Sequence, residues 1–235
     1  LQDGLSAETF ARLFALSARH EECGREKLEA MLTALQTMAD AGALPQGKLE
    51  AIRENCRRNS KPFEYAFLLD ALKNGEIPLR VTHNDTKLNN VLLDRQTGRG
   101  VCVIDLDTVM PGLAAYDFGD SIRFGAASAE EDERDLSKMG LDLHLFRVYT
   151  AGYLTACPSL TEKEIALLPL GAKIITLELA VRFLTDYLDG DLYFKTDYPE
   201  HNPVRARSQM KLVADMEDKW TQMQTIVAEE AAKIK

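Results

Sequence analysis

The segment between Thr82 and Asp107 places the tightest constraint on the fold of this chain. Two β-prone runs, Val91–Leu93 and Val101–Ile104, lie on either side of the turn-forming residues DRQTGRG, a pattern that predicts an antiparallel hairpin. We expect the second run to be a buried strand. Three oxygen-bearing side chains would then converge at one end of the hairpin: Asp85, Asn90 and Asp105.

Apolar residues recur at helical spacing through most of the remaining sequence. Residues 5–75 predict helices only, the last two of which cover about Lys48–Arg58 and Pro62–Leu72. A short strand, Leu79–Thr82, leads into the motif, and helical spacing then returns in four segments: Tyr116–Phe124, Asp142–Ala156, Thr161–Leu188, and from about Pro203 to the end. The sequence therefore predicts a mostly helical α+β fold with a small β-hairpin sheet.

Composition and charge exclude several classes of function. The formal net charge is -9, so the chain has little net attraction for nucleic acid. Its longest apolar stretches, such as Ile165–Ala172, are far shorter than the roughly 20 residues that cross a bilayer. Because no charged and apolar leader opens the sequence, we expect a cytoplasmic protein without membrane contact. Leu1 is not a methionine, so we also expect a fragment of a longer polypeptide.

The spacing of the polar residues suits phosphoryl transfer, in which a protein mainly holds an acceptor hydroxyl, a metal ion and phosphate groups in line. Asp85 is the candidate base that orients the hydroxyl and accepts its proton. Asn90 and Asp105 carry the oxygen ligands that Mg²⁺ prefers. Lys87 can reach the transferring phosphoryl group as a point charge.

The motif H-N-D-T-K-L-N-N, which begins at His83, has the H-x-D-x-K-x-x-N spacing of the catalytic loop in protein kinases and their small-molecule relatives. The segment V-I-D-L-D around Asp105 resembles the metal-binding segment of the aminoglycoside phosphotransferase and choline kinase group. Together with the T-V-M-P-G-L-A-A-Y-D-F-G-D that follows, these residues look most like those of N-acetylhexosamine 1-kinases. This resemblance implies an ATP- and Mg²⁺-dependent kinase for the anomeric hydroxyl of N-acetylglucosamine or N-acetylgalactosamine.

The same resemblance implies the C-terminal lobe of a protein kinase-like fold. Residues 1–78 would form a helical segment leading into the lobe, residues 79–125 the catalytic loop, hairpin and metal-binding segment, and residues 126–235 a helical substrate-binding subdomain. A complete kinase of this group also has a nucleotide-binding N-terminal lobe, and no G-x-G-x-x-G motif occurs in this sequence. We therefore expect that lobe to be a missing partner and the fragment alone to have little kinase activity.

Two features of the motif invite a catalytic interpretation but favour a structural one. His83 is expected to anchor the loop by hydrogen bonding to backbone, because buried polar groups are normally satisfied. Asp117-Phe118-Gly119 spells the D-F-G of protein kinases, but it follows a proline–glycine turn and opens a helix, so Asp105 fits the metal role better. Asp117 and Asp120 are expected to cap or hydrogen-bond the start of that helix.

The sequence constrains the acceptor-binding residues less tightly. Asp107 would lie on the same side as Asp105 in an extended segment, where a substrate or second-metal contact and plain solvation are both open. Glu178, Arg182 and Asp186 recur at four-residue spacing and predict one charged stripe. That stripe is either a solvent-facing salt ladder or, for Arg182 and Asp186, part of the wall of a sugar pocket.

Three functions remain open from these residues. The first is a kinase for the anomeric hydroxyl of an N-acetylhexosamine, which the resemblance favours. The second is a kinase for choline, homoserine or an aminoglycoside, since acidic or aromatic walls attract cationic acceptors. The third is a non-catalytic ligand-binding lobe.

Overall fold

The computed structural model describes Asp40 and residues 65–234. Residues 65–234 form six α-helices: α1 Tyr65–Lys73, α2 Ala114–Gly125, α3 Leu143–Ala156, α4 Glu162–Leu188, α5 His201–Asp218 and α6 Trp220–Ala232. Four short strands lie between α1 and α2: β1 Arg80–Thr82, β2 Val91–Leu93, β3 Gly100–Val103 and β4 Met110–Gly112. A mostly helical α+β fold is therefore confirmed, while the helices expected between residues 5 and 58 lie outside the described residues.

Helix α4 is the central element of the described part of the chain and packs against α2, α5 and α6. The main core surrounds Phe118 and includes Phe146, Leu168, Leu212 and Met223, which are almost fully buried. Helices α2 and α4 cross at two glycines, because a Cβ at Gly119 would lie only 2.5 Å from the carbonyl oxygen of Gly171. This close contact fixes α2, which runs directly after the predicted metal-binding segment.

Side-chain caps set the starts of α3 and α4. The Asp142 carboxylate accepts hydrogen bonds from the backbone N–H groups of His144 and Leu145. Thr161 and Glu164 form a capping box, in which the Glu164 N–H donates to Thr161 Oγ1 at 3.2 Å and the Thr161 N–H donates to Glu164 Oε2 at 2.8 Å. These caps place both helix starts within one residue of their predicted positions.

The strands form two separate two-stranded antiparallel sheets. Strands β2 and β3 make the predicted hairpin, with Val91 opposite Val103. Strand β1 pairs with β4, so that Arg80 lies opposite Gly112 and Thr82 opposite Met110. The sequence did not predict β4, because Met110-Pro111-Gly112 lacks the β-branched and aromatic residues typical of strands, although proline is tolerated on an edge strand.

The C-terminal run predicted from about Pro203 is two helices rather than one. The chain leaves helical geometry at Lys219 (φ -96°, ψ 10°). The Lys219 ammonium group donates to Asp215 Oδ2 at 2.6 Å and to the carbonyl oxygen of Leu141 at 2.8 Å, which holds the bend against the loop before α3. Both helices then bury apolar residues in the same core, Met216 from α5 and Met223 from α6.

None of the helices in the described part of the chain has the length and apolarity that a membrane crossing requires.

Candidate active site

The loop after β1 gathers the side chains of the H-x-D-x-K-x-x-N motif around one carboxylate. Asp85 Oδ2 accepts a hydrogen bond from Lys87 Nζ at 2.7 Å and another from Asn90 Nδ2 at 2.9 Å. The Asn90 amide also donates to the backbone oxygen of Asp85 at 2.9 Å. Asn90 is buried, whereas Asp85 keeps 27% of its side chain exposed. The carboxylate is thus held in one orientation yet remains accessible.

Asp105 follows the hairpin and is placed beside this loop by two hydrogen bonds of its neighbour Ile104. The Ile104 N–H donates to the backbone oxygen of Asn90 at 2.9 Å, and Nε2 of His83 lies 3.0 Å from the carbonyl oxygen of Ile104. Asp105 has left-handed backbone angles (φ 64°, ψ 54°) and an exposed side chain. A non-glycine residue in this region costs conformational energy, which the two flanking contacts offset.

Helix α2 holds the first turn of the loop through Asp117. Its two carboxylate oxygens accept hydrogen bonds from the backbone N–H groups of His83 and Asn84, each at 2.8 Å. Burial raises the pKa of Asp117 above its ordinary value, against the lowering effect of these two hydrogen bonds. Asp117 does not cap α2, because Leu113 is the N-cap and makes no side-chain cap. The carboxylate instead satisfies donors of the catalytic loop, which bends away from β1 there with Asn84 in a left-handed conformation.

Asp120 makes a second connection one turn along the same helix. Its Oδ2 accepts a hydrogen bond from the Thr86 N–H at 2.7 Å, while its Oδ1 forms a buried ion pair with Arg123 at 3.0 Å. The Thr86 hydroxyl donates to the carbonyl oxygen of Asp117 at 2.6 Å. From the sequence, Asp120 was expected only to cap or hydrogen-bond the start of the helix. Its spacing of three residues from Asp117, which places both on one helix face, is the signal that could have identified it.

The sequence that contains this site also matches a known protein family. Residues 4–149, more than half of the chain, match the APH family, described as the phosphotransferase enzyme family. The chain belongs to the APH family. Membership in this phosphotransferase family is consistent with a kinase-like enzyme that acts on small molecules, and it covers the catalytic loop, the hairpin and α2 together.

The predicted metal ligands of this APH-family chain are Asn90 and Asp105. Asn90 uses its amide nitrogen toward Asp85, which leaves its amide oxygen as the possible ligand, and Asp105 presents an exposed carboxylate. Carboxylate and amide oxygens suit Mg²⁺, which retains water and phosphate oxygens in its shell. The described residues contain no cluster of three or more His, Cys, Asp or Glu side chains that could hold a metal. Asn90 and Asp105 as Mg²⁺ ligands therefore stay a prediction.

The β3 strand that precedes Asp105 is exposed, which corrects the expectation of a buried strand. Its residues Val101 and Val103 expose 69% and 49% of their surface, and Val81 in β1 exposes 82%. Among the described elements, the main contacts of β2 and β3 are with each other. An apolar surface of this extent beside a polar site is typical of an interaction surface.

The charged stripe predicted on α4 is divided between two environments. Asp186 is buried, and its carboxylate accepts from the backbone N–H groups of Tyr193 and Phe194 and from the Asn202 amide. Burial opposes its ionisation, yet these hydrogen bonds hold the pKa of Asp186 below its ordinary value. Arg182 is exposed and lies over the rings of Tyr193 and Phe194, 5.5 and 5.4 Å from their centroids. Asp186 therefore orders the loop on which Arg182 rests.

Asp107 lies in a single 3₁₀ turn, Leu106–Thr108, and its side chain is exposed. The neighbouring Thr108 fixes that turn to the catalytic loop, because its hydroxyl donates to the carbonyl oxygen of His83 at 2.6 Å. The backbone oxygen of Thr108 in turn accepts from the Asn84 amide at 3.0 Å. Asp107 is thus held close to the site, and its substrate role stays a prediction.

Proposed function

We propose that this chain is the catalytic lobe of an ATP- and Mg²⁺-dependent kinase that phosphorylates a hydroxyl group of a small molecule, namely the anomeric hydroxyl of an N-acetylhexosamine. The observation that carries the proposal is the arrangement around Asp85. Its carboxylate is oriented by Lys87 and Asn90, and Asp105 is fixed next to Asn90 by the hydrogen bond of Ile104. These contacts support the proposal that a base, a cation and two metal ligands act together at this accessible carboxylate.

In the proposed reaction Asp85 orients the acceptor hydroxyl and accepts its proton. The acceptor oxygen forms a bond to the γ-phosphorus while the bond from that phosphorus to the β–γ bridging oxygen breaks, and ADP leaves. Lys87 holds Asp85 in place before substrate binds and is positioned to stabilise negative charge on the transferred group. Bound Mg²⁺, held by Asn90 and Asp105, would supply charge neutralisation at the phosphate oxygens.

The exposed apolar surface around the hairpin supports a separate nucleotide-binding lobe. Beyond β1 and β3 it includes large side chains next to the metal-binding segment: Leu79, Leu92, Leu93, Ile104, Leu106, Val109 and Met110. Covering such a surface with a second lobe would bury it and close one side of the phosphate site. We therefore propose that the longer polypeptide, rather than this chain by itself, has full activity.

The acceptor is proposed from the sequence likeness and from the chemistry at α4. Arg182 offers directed donors beside the face of Tyr193, whose hydroxyl lies 3.3 Å from the guanidinium. Sugars are bound by such pairs of charged donors and aromatic faces on rigid elements. Because Asp186 holds the Tyr193 and Phe194 backbone, this surface is ordered before ligand binds.

The test is an acceptor screen with the longer polypeptide that includes the proposed nucleotide-binding lobe. The panel contains N-acetylglucosamine, N-acetylgalactosamine, glucose, choline, homoserine and an aminoglycoside, each with ATP and Mg²⁺, and phosphorus NMR identifies the phosphorylated oxygen. We expect a sugar 1-phosphate from the N-acetylhexosamines. If choline, homoserine or the aminoglycoside is phosphorylated instead, that compound is the acceptor and the N-acetylhexosamine is not. If no acceptor is phosphorylated, the result favours a non-catalytic ligand-binding lobe.

A further inference from the structure

A cavity of about 450 Å³ lies beside the catalytic loop. Its wall includes Asn89 of that loop, Arg123 and Phe124 at the end of α2, Ala127 and Ala129 in the loop that follows, and Gln209 from α5. The volume is sufficient for one sugar ring or a large part of it. Asn89 directly precedes Asn90 in the chain, so one wall residue of the cavity belongs to the loop that carries Asp85.

Gln209 is an unusual wall residue because its side-chain oxygen lacks a hydrogen-bond partner. The residue is only 1% exposed, and its side-chain oxygen Oε1 is buried without a hydrogen bond. A buried amide oxygen without a donor is unfavourable, and such groups often mark a ligand site. The terminal torsion of glutamine is broad, so a small rotation can turn the amide toward a group inside the cavity. The missing partner is a hydrogen-bond donor.

Two of the three charged wall residues, Arg123 and Glu131, are already paired, while the third, Glu130, is exposed to solvent. Arg123 is buried and forms ion pairs with Asp120 and Glu131, and Glu131 also lies 3.6 Å from Arg205. The Arg123 guanidinium is therefore not free to bind a phosphate, and the Glu131 carboxylate is not free to bind an ammonium group. A neutral ligand group with an N–H or O–H donor suits this interior best.

One part of the wall is apolar and lies beside the polar residues Ser128 and Glu130. Ala127, Ala129 and the Phe124 ring provide space and contact for a methyl group. An acetamido group combines the required features, since its N–H donates, its carbonyl oxygen can accept from the glutamine amide, and its methyl group is apolar. We propose that this cavity binds the acetamido group of the acceptor sugar and that Gln209 is the specificity residue. This inference rests on the proposed function and names the contact that selects an N-acetylhexosamine over a hexose.

The test is saturation-transfer NMR of the 235-residue chain with N-acetylglucosamine, glucose or choline, so that binding is measured without phosphoryl transfer. We expect saturation of the acetyl methyl protons in the wild type. The Gln209→Met variant keeps the side-chain length but removes the amide, and should raise the Kd for N-acetylglucosamine roughly tenfold and the Kd for glucose less than twofold. Ala129→Phe fills the cavity and should have the same effect, while Gln224→Met, an exposed glutamine on α6, should have none.

Thermal unfolding shows whether a loss of binding reflects a loss of structure. Gln209→Met removes a polar group without a partner, so its Tm should equal or exceed that of the wild type. The proposal is overturned if N-acetylglucosamine does not bind or if both cavity variants bind it as tightly as the wild type. It is also overturned if Gln209→Met raises the Kd for glucose as much as the Kd for N-acetylglucosamine, or if choline binding depends on Gln209. Failure of the longer polypeptide to phosphorylate sugars would remove the proposed function but leave Gln209-dependent acetyl binding intact.

Discussion

Asp117 on helix α2 accepts the backbone N–H of His83 through Oδ2 at 2.8 Å, and this bond joins the helical core to the first residue of the catalytic motif. The other oxygen of the same carboxylate accepts from Asn84. The Asp117 carboxylate therefore positions the loop that carries Asp85, although its D-F-G sequence resembles a metal-binding motif of protein kinases.

Replacing Asp117 with alanine should leave two backbone donors of the loop without an acceptor. The His83 bond is part-buried and the Asn84 bond is exposed, so we expect a loss of about 1–2 kcal/mol in the free energy of unfolding, measured by denaturant titration. Turnover in the longer polypeptide should fall as well, because Asp85 loses its support. Asp218→Asn, an exposed change on α5, is the control. Unchanged stability in Asp117→Ala would contradict the anchoring role.

Asp85→Asn should lower kcat in the longer polypeptide by roughly 10²–10⁴-fold, the usual contribution of a positioned base. The fold should be retained, because an amide can still accept from Asn90 and Lys87. The measurement is steady-state kinetics with a circular dichroism spectrum of the same sample. Turnover at the wild-type rate would remove Asp85 from the role of base.

The ion pair between Arg80 and Glu164 should make stability depend on pH. Burial alone would raise the pKa of Glu164, but the hydrogen bonds from Arg80 and Thr161 outweigh it, so the pKa lies below its ordinary value. The pair therefore stabilises the fold fully at pH values above the pKa that Glu164 has in the unfolded chain. This stabilisation is lost as the pH falls through the lower pKa that Glu164 has in the folded protein.

The Glu164→Gln variant tests that dependence. At pH 7 it should be less stable than the wild type by about 2–3 kcal/mol, because Arg80 loses a nearly buried partner. The difference should shrink in unfolding titrations below about pH 4 as the wild-type carboxylate is protonated. The exposed Glu130→Gln change should show little difference at either pH. A constant difference across this range would argue against the linkage.

Gly119→Ala should be strongly destabilising although alanine favours helices. Its Cβ would lie 2.5 Å from the Gly171 carbonyl oxygen, so α2 and α4 must move apart, at a cost of about 3 kcal/mol. Gly152→Ala in α3 is the matched control, since no atom lies within 4 Å of its Cβ position, and it should stabilise by about 0.5–1 kcal/mol. Thermal unfolding of the two variants would reveal opposite shifts in Tm.

Arg182→Ala and Asp186→Ala should separate acceptor binding from loop structure. Arg182 is exposed, so its loss should raise the KM for the sugar about tenfold with less than a 1 kcal/mol change in stability. Asp186 is buried and accepts several hydrogen bonds, so its loss should cost about 2–3 kcal/mol and also raise KM. Normal KM values in Arg182→Ala would exclude it from the acceptor site.

Local sequence was sufficient to predict a helix start or a hairpin wherever one short-range interaction dominates. The helix starts at Asp142 and Thr161 follow from side-chain caps within three residues, and the β2–β3 hairpin follows from its own turn. The exposure of β3 could not be predicted in this way, because its apolar residues are typical of a buried strand and only the position of the other elements shows what covers them. The same applies to β4, whose partner β1 lies about 30 residues earlier in the chain.

The sequence by itself determined the H-x-D-x-K-x-x-N motif, the helical character of residues 65–234 and membership of the APH family, because each depends on residue type and close spacing. The tertiary structure alone decided that Asp117 and Asp120 hold the catalytic loop, that Asp186 is buried while Arg182 is not, and that Gln209 lacks a partner. These properties depend on which donors and acceptors meet across α2, α4 and α5. These contacts form when the helices pack together, and the spacing of residues along the chain does not specify them.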